Sequence, residues 1–218
     1  MPSQTVPNKM SANSPEILSV RLADDSCLRI RPLTPLDREH LVEGFSRLST
    51  QSRQKRFFSS MRSLQGPVLD TLADLSGHLH VAIGAFTEND DLGHGVAVAR
   101  AIQTSPGEPA ELAITVVDSA QGMGLGQLML HALMEIMTKL GVSSFTATIL
   151  RENAPAIGLF RKLGATTKPD PEDLAITLAQ IIPENVPKLA GWPDDLEHEI
   201  VAFASRVSAE LNDRVVHA

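Results

Sequence analysis

The chain has 218 residues, 43% of them apolar, with a net charge of −7 and a single cysteine, Cys27. The acidic balance argues against sequence-nonspecific nucleic-acid binding, and one thiol excludes an internal disulfide or a cysteine-rich metal site, which suits a reducing, cytoplasmic compartment. The opening MPSQTVPNKMSANSPE lacks the apolar core of a secretory signal, and no apolar run is long enough to cross a membrane.

Residues 1–15, rich in Ser, Pro, Asn and Gln, read as a disordered tail. Ser19 to Arg31 alternates as two short strands turning at Asp24-Asp25. Thr34-Pro35-Leu36-Asp37 is a helix start, with Thr34 as cap, Pro35 in the first position and Asp37 in the third. Leu36, Leu41, Phe45 and Leu48 are then expected to face the core. A second helical piece begins at Ser49, and a third covers Pro67 to Leu75. The basic cluster Arg53, Lys55, Arg56 and Arg62 reads first as a solvated helix face, with a role beside an acceptor groove or a phosphate as the alternative.

His78 to Ile83 opens a further strand. His78 and His80 share one face of it, but no Cys or carboxylate at ligand spacing joins them, so no metal site is assigned. Glu88 to Gly95 is a polar hairpin turn, and Val96 to Ile102 the next strand.

The stretch from Ala110 to Ala165 organises the rest. Leu112 to Val117 is a buried-strand run, followed by Gln121-Gly122-Met123-Gly124-Leu125-Gly126 and a helical pattern to Leu140, where Leu125, Leu128, Ala132, Leu133, Ile136 and Leu140 share a face. Gly141 sits where a left-handed residue ends a helix. A second strand, Phe145 to Leu150, leads into a short helix that Asn153 caps, with Pro155 in its first turn and Gly164 past its end. Beyond it lie a turn at Asp170-Pro171, a last strand at Leu174 to Leu178 antiparallel to the Phe145 strand, and a Pro-rich connector from Ile182 to Trp192. Pro193 to Asn212 is an amphipathic helix, with Leu196, Ile200, Phe203, Val207 and Leu211 on one face. That face packs on its own domain or, as the alternative, on a second copy in a homodimer.

Glycines between a strand and a helix let successive main-chain N–H groups approach a ligand closely, and the helix start adds unpaired donors and a positive dipole end. Such a loop holds a diphosphate, although it also occurs for packing alone. A dinucleotide site fits poorly. The spacing here is G-x-G-x-G, and Glu152, the acidic residue after the next strand, is crowded by Arg151 and Asn153.

Gln121-x-x-Gly124-x-Gly126 resembles motif A of the GNAT superfamily of N-acetyltransferases, and Asn153, Ala156, Phe160 and Gly164 match its N-x-x-A-x-x-x-(Y/F)-x-x-x-G signature. The segment RIRPLTPLDREHLVEGFSRLSTQSRQKRFF is similar to the opening of the acetyltransferase domain of bacterial protein-lysine acetyltransferases. The resemblance implies an α/β (α+β) fold: a mixed, mostly antiparallel sheet flanked by helices, its central parallel strands splayed around the coenzyme. It places an acetyltransferase domain at 16–180, with the connector and terminal helix at 181–218. It further implies acetyl-CoA (coenzyme A) as cosubstrate, no metal, and an amine acceptor, either a protein lysine or a small molecule. Gln121, Gly122, Met123, Gly124, Leu125 and Gly126 would cradle the diphosphate. Main-chain N–H groups near Val116 and Val117 would polarise the thioester and hold the pantetheine arm. Asn153, Phe160 and Arg161 would contact the coenzyme.

Glu111 is the expected general base, its pKa raised by apolar Leu112, Ala113 and Ile114. The family's acid is a tyrosine, where this chain carries Phe160 and has no tyrosine at all, so solvent would protonate the departing thiolate. The missing acid keeps a second reading open, a non-catalytic acyl-CoA sensor or interaction module. Cys27 has no histidine partner evident and is not assigned as a nucleophile.

Overall fold

The computed structural model describes residues 16–22, 25–75, 79–87 and 94–216. The tail at 1–15, His78, and most of the turn at 88–95 lie outside them. The described residues form eight strands and six helices: β1 (Leu18–Arg21), β2 (Cys27–Pro32), α1 (Arg38–Ser46), α2 (Thr50–Phe57), α3 (Gly66–Ala73), β3 (His80–Thr87), β4 (Gly95–Gln103), β5 (Ala110–Val116), α4 (Leu125–Lys139), β6 (Phe145–Leu150), α5 (Ala154–Lys162), β7 (Thr166–Pro169), β8 (Ile176–Ile181) and α6 (Asp194–Val216). The strands make one sheet in the order β1-β2-β3-β4-β5-β6-β8-β7. Neighbours are antiparallel except β5 and β6. No described helix is long and apolar enough to cross a membrane.

The parallel pair decides the shape of the site. β5 and β6 pair only at Ala110↔Phe145 and Glu111↔Thr146, and beyond that register they part. The rest of β5 keeps its β4 partner but has an open edge in the middle of the sheet. The two faces of β5 are covered differently. Ile114 and Val116 lie against Gly126 of α4, while Thr115 and Val117 look toward α1 and α2 across a small cavity.

α4 is apolar nearly all round. The predicted stripe of Leu125, Leu128, Ala132, Leu133 and Ile136 is buried, but so are Met129, Leu130, Met134 and Met137. One side meets β3, β4 and β5, and the other is covered by α6. Leu196, Ile200, Phe203 and Val207 of α6 are buried there as their spacing predicts, so this stripe packs within the chain and not on a second copy.

Two local expectations need correction, and one strand is additional to them. Leu36 is 91% exposed, because Pro35–Asp37 is a 3₁₀ turn that aims Asp37 inward instead. Burial works against the Asp37 carboxylate. Arg31 grips it with two bonds of 2.9 and 2.6 Å and the Thr34 N–H donates to it at 2.8 Å, so its pKa is held below the usual carboxylate value. The last predicted strand begins later, at Ile176, with Leu174 exposed in the preceding turn. Finally, β7 escaped the sequence reading: Thr-Thr-Lys-Pro is a short, mostly exposed edge strand ending in proline, and it shows neither an apolar run nor clear alternation.

Phe203 is fully buried between α6 and α4. Phe203→Ala is expected to cost about 3–5 kcal/mol of unfolding free energy in a urea titration. A cost below about 1 kcal/mol would mean that α6 is not an integral part of the core.

Candidate active site

Where β5 and β6 part, a cleft of about 650 Å³ opens, lined by both strands, by α2, by the loop before α4, and by α5. That size suits a coenzyme-sized ligand.

Main-chain geometry determines what the cleft offers. The Val117 N–H donates to Val96 O at 2.9 Å. Antiparallel bonds alternate, so Thr115, Ala113 and Glu111 also turn their polar groups to β4, while Leu112, Ile114 and Val116 turn theirs to the β6 side. Ala110, in phase with the second set, donates to Ser144 O beside β6. Val116 therefore presents its N–H to the cleft, and so does Ile114. Val117 does not. Its N–H is taken by β4, and its side chain is buried toward α1 and α2.

The loop supplies a second set of donors. Among the described residues, no protein acceptor is bonded to any N–H from Gly122 to Gly126. Gly122 and Gly124 reach this shape at φ +81° and +79°, a region closed to most side chains. Gly126 has a different role: a Cβ there would stand 3.1 Å from Leu159 Cδ2, so its absence lets α4 approach α5. Gln121, Gly122, Gly124, Leu125 and Gly126 line the cleft. Met123 is not among its walls and is 46% exposed.

Two polar ties hold the loop. Gln121 Nε2 donates to Val116 O at 3.1 Å and to Ser52 Oγ at 3.4 Å. The Asp118 carboxylate accepts from the Ser49 N–H at 2.9 Å, Ser49 Oγ at 2.7 Å and Ser52 Oγ at 2.9 Å. Those bonds outweigh the opposing effect of burial and lower its pKa. The start of α2 is thereby fastened to the loop. Asp118 was not singled out from sequence, since an isolated Asp after a strand carries no distinctive pattern.

From α5, Asn153 and Phe160 line the cleft. Asn153 Oδ1 accepts the Ala156 N–H at 3.4 Å, and Phe160 is buried. Arg161 does not take part. Its guanidinium donates to Thr167 Oγ1 on β7 at 2.9 and 3.1 Å, and its neighbour Lys162 lines the cleft instead.

Glu111 stands in the cleft wall at the last residue that β5 shares with β6. Its side chain is exposed, not desolvated among Leu112, Ala113 and Ile114, because Leu112 and Ile114 point to the opposite face. The solvated reading of the basic cluster also fails for Arg56, which lines the cleft, has its Nε sealed from solvent and interacts with the charge of Glu111. Arg53 lies over the Phe45 ring at 4.6 Å and donates to Ser46 O and Arg62 O, holding α1 to α2. His80 is bonded to Arg100. Burial first, and then the Arg100 charge, push its pKa down to about 4 against the pull of Asp74.

Comparison with known proteins agrees with this geometry. The model of the acetyltransferase (GNAT) domain matches residues 28–166. An acetyltransferase of Pseudomonas aeruginosa is 27% identical over 152 residues, covering 70% of this chain and 82% of its own. Acetyltransferase Pat of Mycolicibacterium smegmatis is 29% identical over 153 residues, which are 70% of this chain and 44% of its own. The match thus spans less than half of that relative. Among solved structures, the GNAT domain of PAT from S. lividans shares the fold with a TM-score of 0.69 at 24% identity, covering 80% of this chain and 99% of that one.

Trp192, the chain's single tryptophan, lies so close to Gly124 that a Cβ there would be 3.4 Å from the indole. Coenzyme A binding at the loop is expected to change tryptophan fluorescence. Gly124→Ala, strained by about 1–2 kcal/mol, should weaken binding roughly tenfold in a calorimetric titration. Unchanged affinity would remove the loop from the binding site.

The unfolded chain protonates His80 near pH 6.5, whereas the folded one waits until about pH 4. Its contribution to stability is therefore complete above pH 6.5 and is lost as the pH falls toward 4. Denaturant titrations across that window should show a shallower decline for His80→Gln than for wild type. Identical slopes would contradict the assignment.

Proposed function

This chain belongs to the GNAT acetyltransferase family, and from that premise we propose that it moves the acetyl group of acetyl-CoA to a primary amine, with Glu111 as general base. The observation that carries this reading is the pairing of two sets of unengaged main-chain donors on one cleft. Gly122 to Gly126 at the start of α4 suit a diphosphate, and Ile114 and Val116 on the open edge of β5 suit the amides of a pantetheine arm.

The donor supplies a thioester, and the chain's residues do the rest. Loop amides hold the diphosphate, while the open edge of β5 aligns the arm and leaves an N–H for the thioester oxygen. A free lysine side chain has a pKa of about 10.4, so only about one in a few thousand is neutral at pH 7. Glu111 takes the amine proton, and the freed lone pair attacks the thioester carbon. The N–C bond forms, the C–S bond breaks, coenzyme A leaves as a thiolate, and the nitrogen gives its second proton to water as the amide forms. Phe160 has no hydroxyl, so water protonates that thiolate. With a thiol pKa of about 8.5 it is a tolerable leaving group unaided.

The likeness of residues 28–58 to protein-lysine acetyltransferases supports a protein lysine as acceptor. The lone thiol and the coenzyme donor fit a cytoplasmic setting. One observation favours the second reading, a non-catalytic acyl-CoA sensor: the buried phenylalanine at the position of the family's acid. Thiol release over a panel of amines and lysine peptides separates the two, since binding without turnover on any acceptor selects the sensor.

Glu111→Gln should leave coenzyme affinity unchanged and lower kcat about 10²–10⁴-fold, most visibly at the lower end of the active pH range. Wild-type rates at every pH would remove Glu111 from the mechanism.

A further inference from the structure

Two guanidinium groups meet on the Glu111 face of the sheet. Arg100 of β4 pairs with Ala113, and Ile102 with Glu111, so Arg100 lies one pair along the same face. It is only 3% exposed. Arg56, on α2, is near enough for its charge to act on Arg100. The two share the wall of a cavity of about 60 Å³ beneath α1 and α2, and Arg56 also opens onto the main cleft. The rest of the cavity is almost wholly apolar, with Leu48, Phe57, Val98 and Val117 among its walls.

The charges there do not balance. Among the described residues, neither guanidinium has a carboxylate within ion-pair distance. Arg56 Nε is sealed from solvent with no hydrogen-bond partner, and the Arg56 guanidinium rests on the Phe57 ring at 5.0 Å. Arg100 bonds to a neutral acceptor, His80 Nε2. Glu111 interacts with Arg56 at longer range but is exposed, and Asp74 faces His80. The same protein shows what a settled arginine looks like: Arg31 holds Asp37 in a two-bond fork. A buried cation and a half-buried one side by side without such a partner are unfavourable, and a planar guanidinium edge matches a carboxylate.

We propose that Arg56, backed by Arg100, forms a carboxylate-recognition subsite at the reacting end of the cleft, so that the molecule acylated here, or the acyl group transferred, carries a carboxylate close to the reacting centre. The inference rests on the reading of Glu111 as the reacting end of an acyl-transfer cleft. The carboxylate has two sources, an acidic acceptor amine or a dicarboxylic acyl group, and the subsite chemistry is the same for both.

The test compares wild type with Arg56→Gln and Arg56→Lys in two arms. The first uses acetyl-CoA with matched acceptors, glycine against glycinamide and lysine peptides flanked by glutamate against glutamine. The second uses one uncharged amine with succinyl-CoA against acetyl-CoA. Wild type should prefer the carboxylate form about 10- to 100-fold in kcat/KM, mainly through KM, in the arm that names the source. Arg56→Gln should erase that preference while the coenzyme A affinity read from Trp192 fluorescence stays unchanged. Arg56→Lys should restore part of it, which a merely structural arginine would not do. No preference in either arm, or one that survives in Arg56→Gln, overturns the proposal. If coenzyme A binds but no acceptor turns over, the acyl-transfer reading fails separately. A thermal shift by succinate in the presence of coenzyme A, lost in Arg56→Gln, would still support the subsite, and no shift would overturn it.

Discussion

A sheet edge in the middle of a sheet is the constraint on which the site depends. β5 and β6 hold together over two residue pairs and then diverge, which leaves main-chain groups of β5 without the partners that an interior strand normally has. Unpaired backbone groups away from water are costly. The chain meets part of the need itself, through Gln121 on Val116 O. The remaining N–H groups are a ready strand edge for an extended, amide-bearing ligand. A pantetheine arm, the proposed ligand, would be held by main chain in this way, leaving the side chains of β5 free to serve packing.

Binding and chemistry are joined through α2. Its first turn is tied to the loop by Asp118, Ser49 and Ser52, and its body carries Arg56 over the face where Glu111 stands. The loop and the helix that stands over Glu111 are therefore one connected unit. α6 contributes from the other side of the sheet by covering α4, whose N-terminus supplies the loop donors. The apolar stripe of α6, far along the chain from any motif, thus supports the glycine-loop end of the cleft.

The elements legible in the sequence were those whose information is local. The α4 stripe, the Phe145–Leu150 strand and the Asn153 cap each show in a window of a few residues, and the glycine spacing located the loop. The misread features depend on partners distant in the chain. Whether Val117 or Ile114 offers its N–H is decided by the register with β4, which no window around residue 115 contains. Arg161 and Thr167 meet only because the β7 edge strand folds back beside α5. Arg56 looked like one of several surface cations, since the pattern SRQKRFF does not reveal that one of its arginines lies over a buried Arg100.

That last case bears on how the active site is charged. The molecule is acidic overall, at −7, yet the described groups near Glu111 include two guanidiniums, the Lys55 ammonium and a neutral imidazole. Burial and the Arg56 charge push the Arg100 pKa down to about 10, so it remains a cation at neutral pH. On the proposed reading, a local positive field repels any cationic amine that brings no negative charge of its own. A carboxylate on the substrate would neutralise the field as it docks. On that reading the two arginines select what enters.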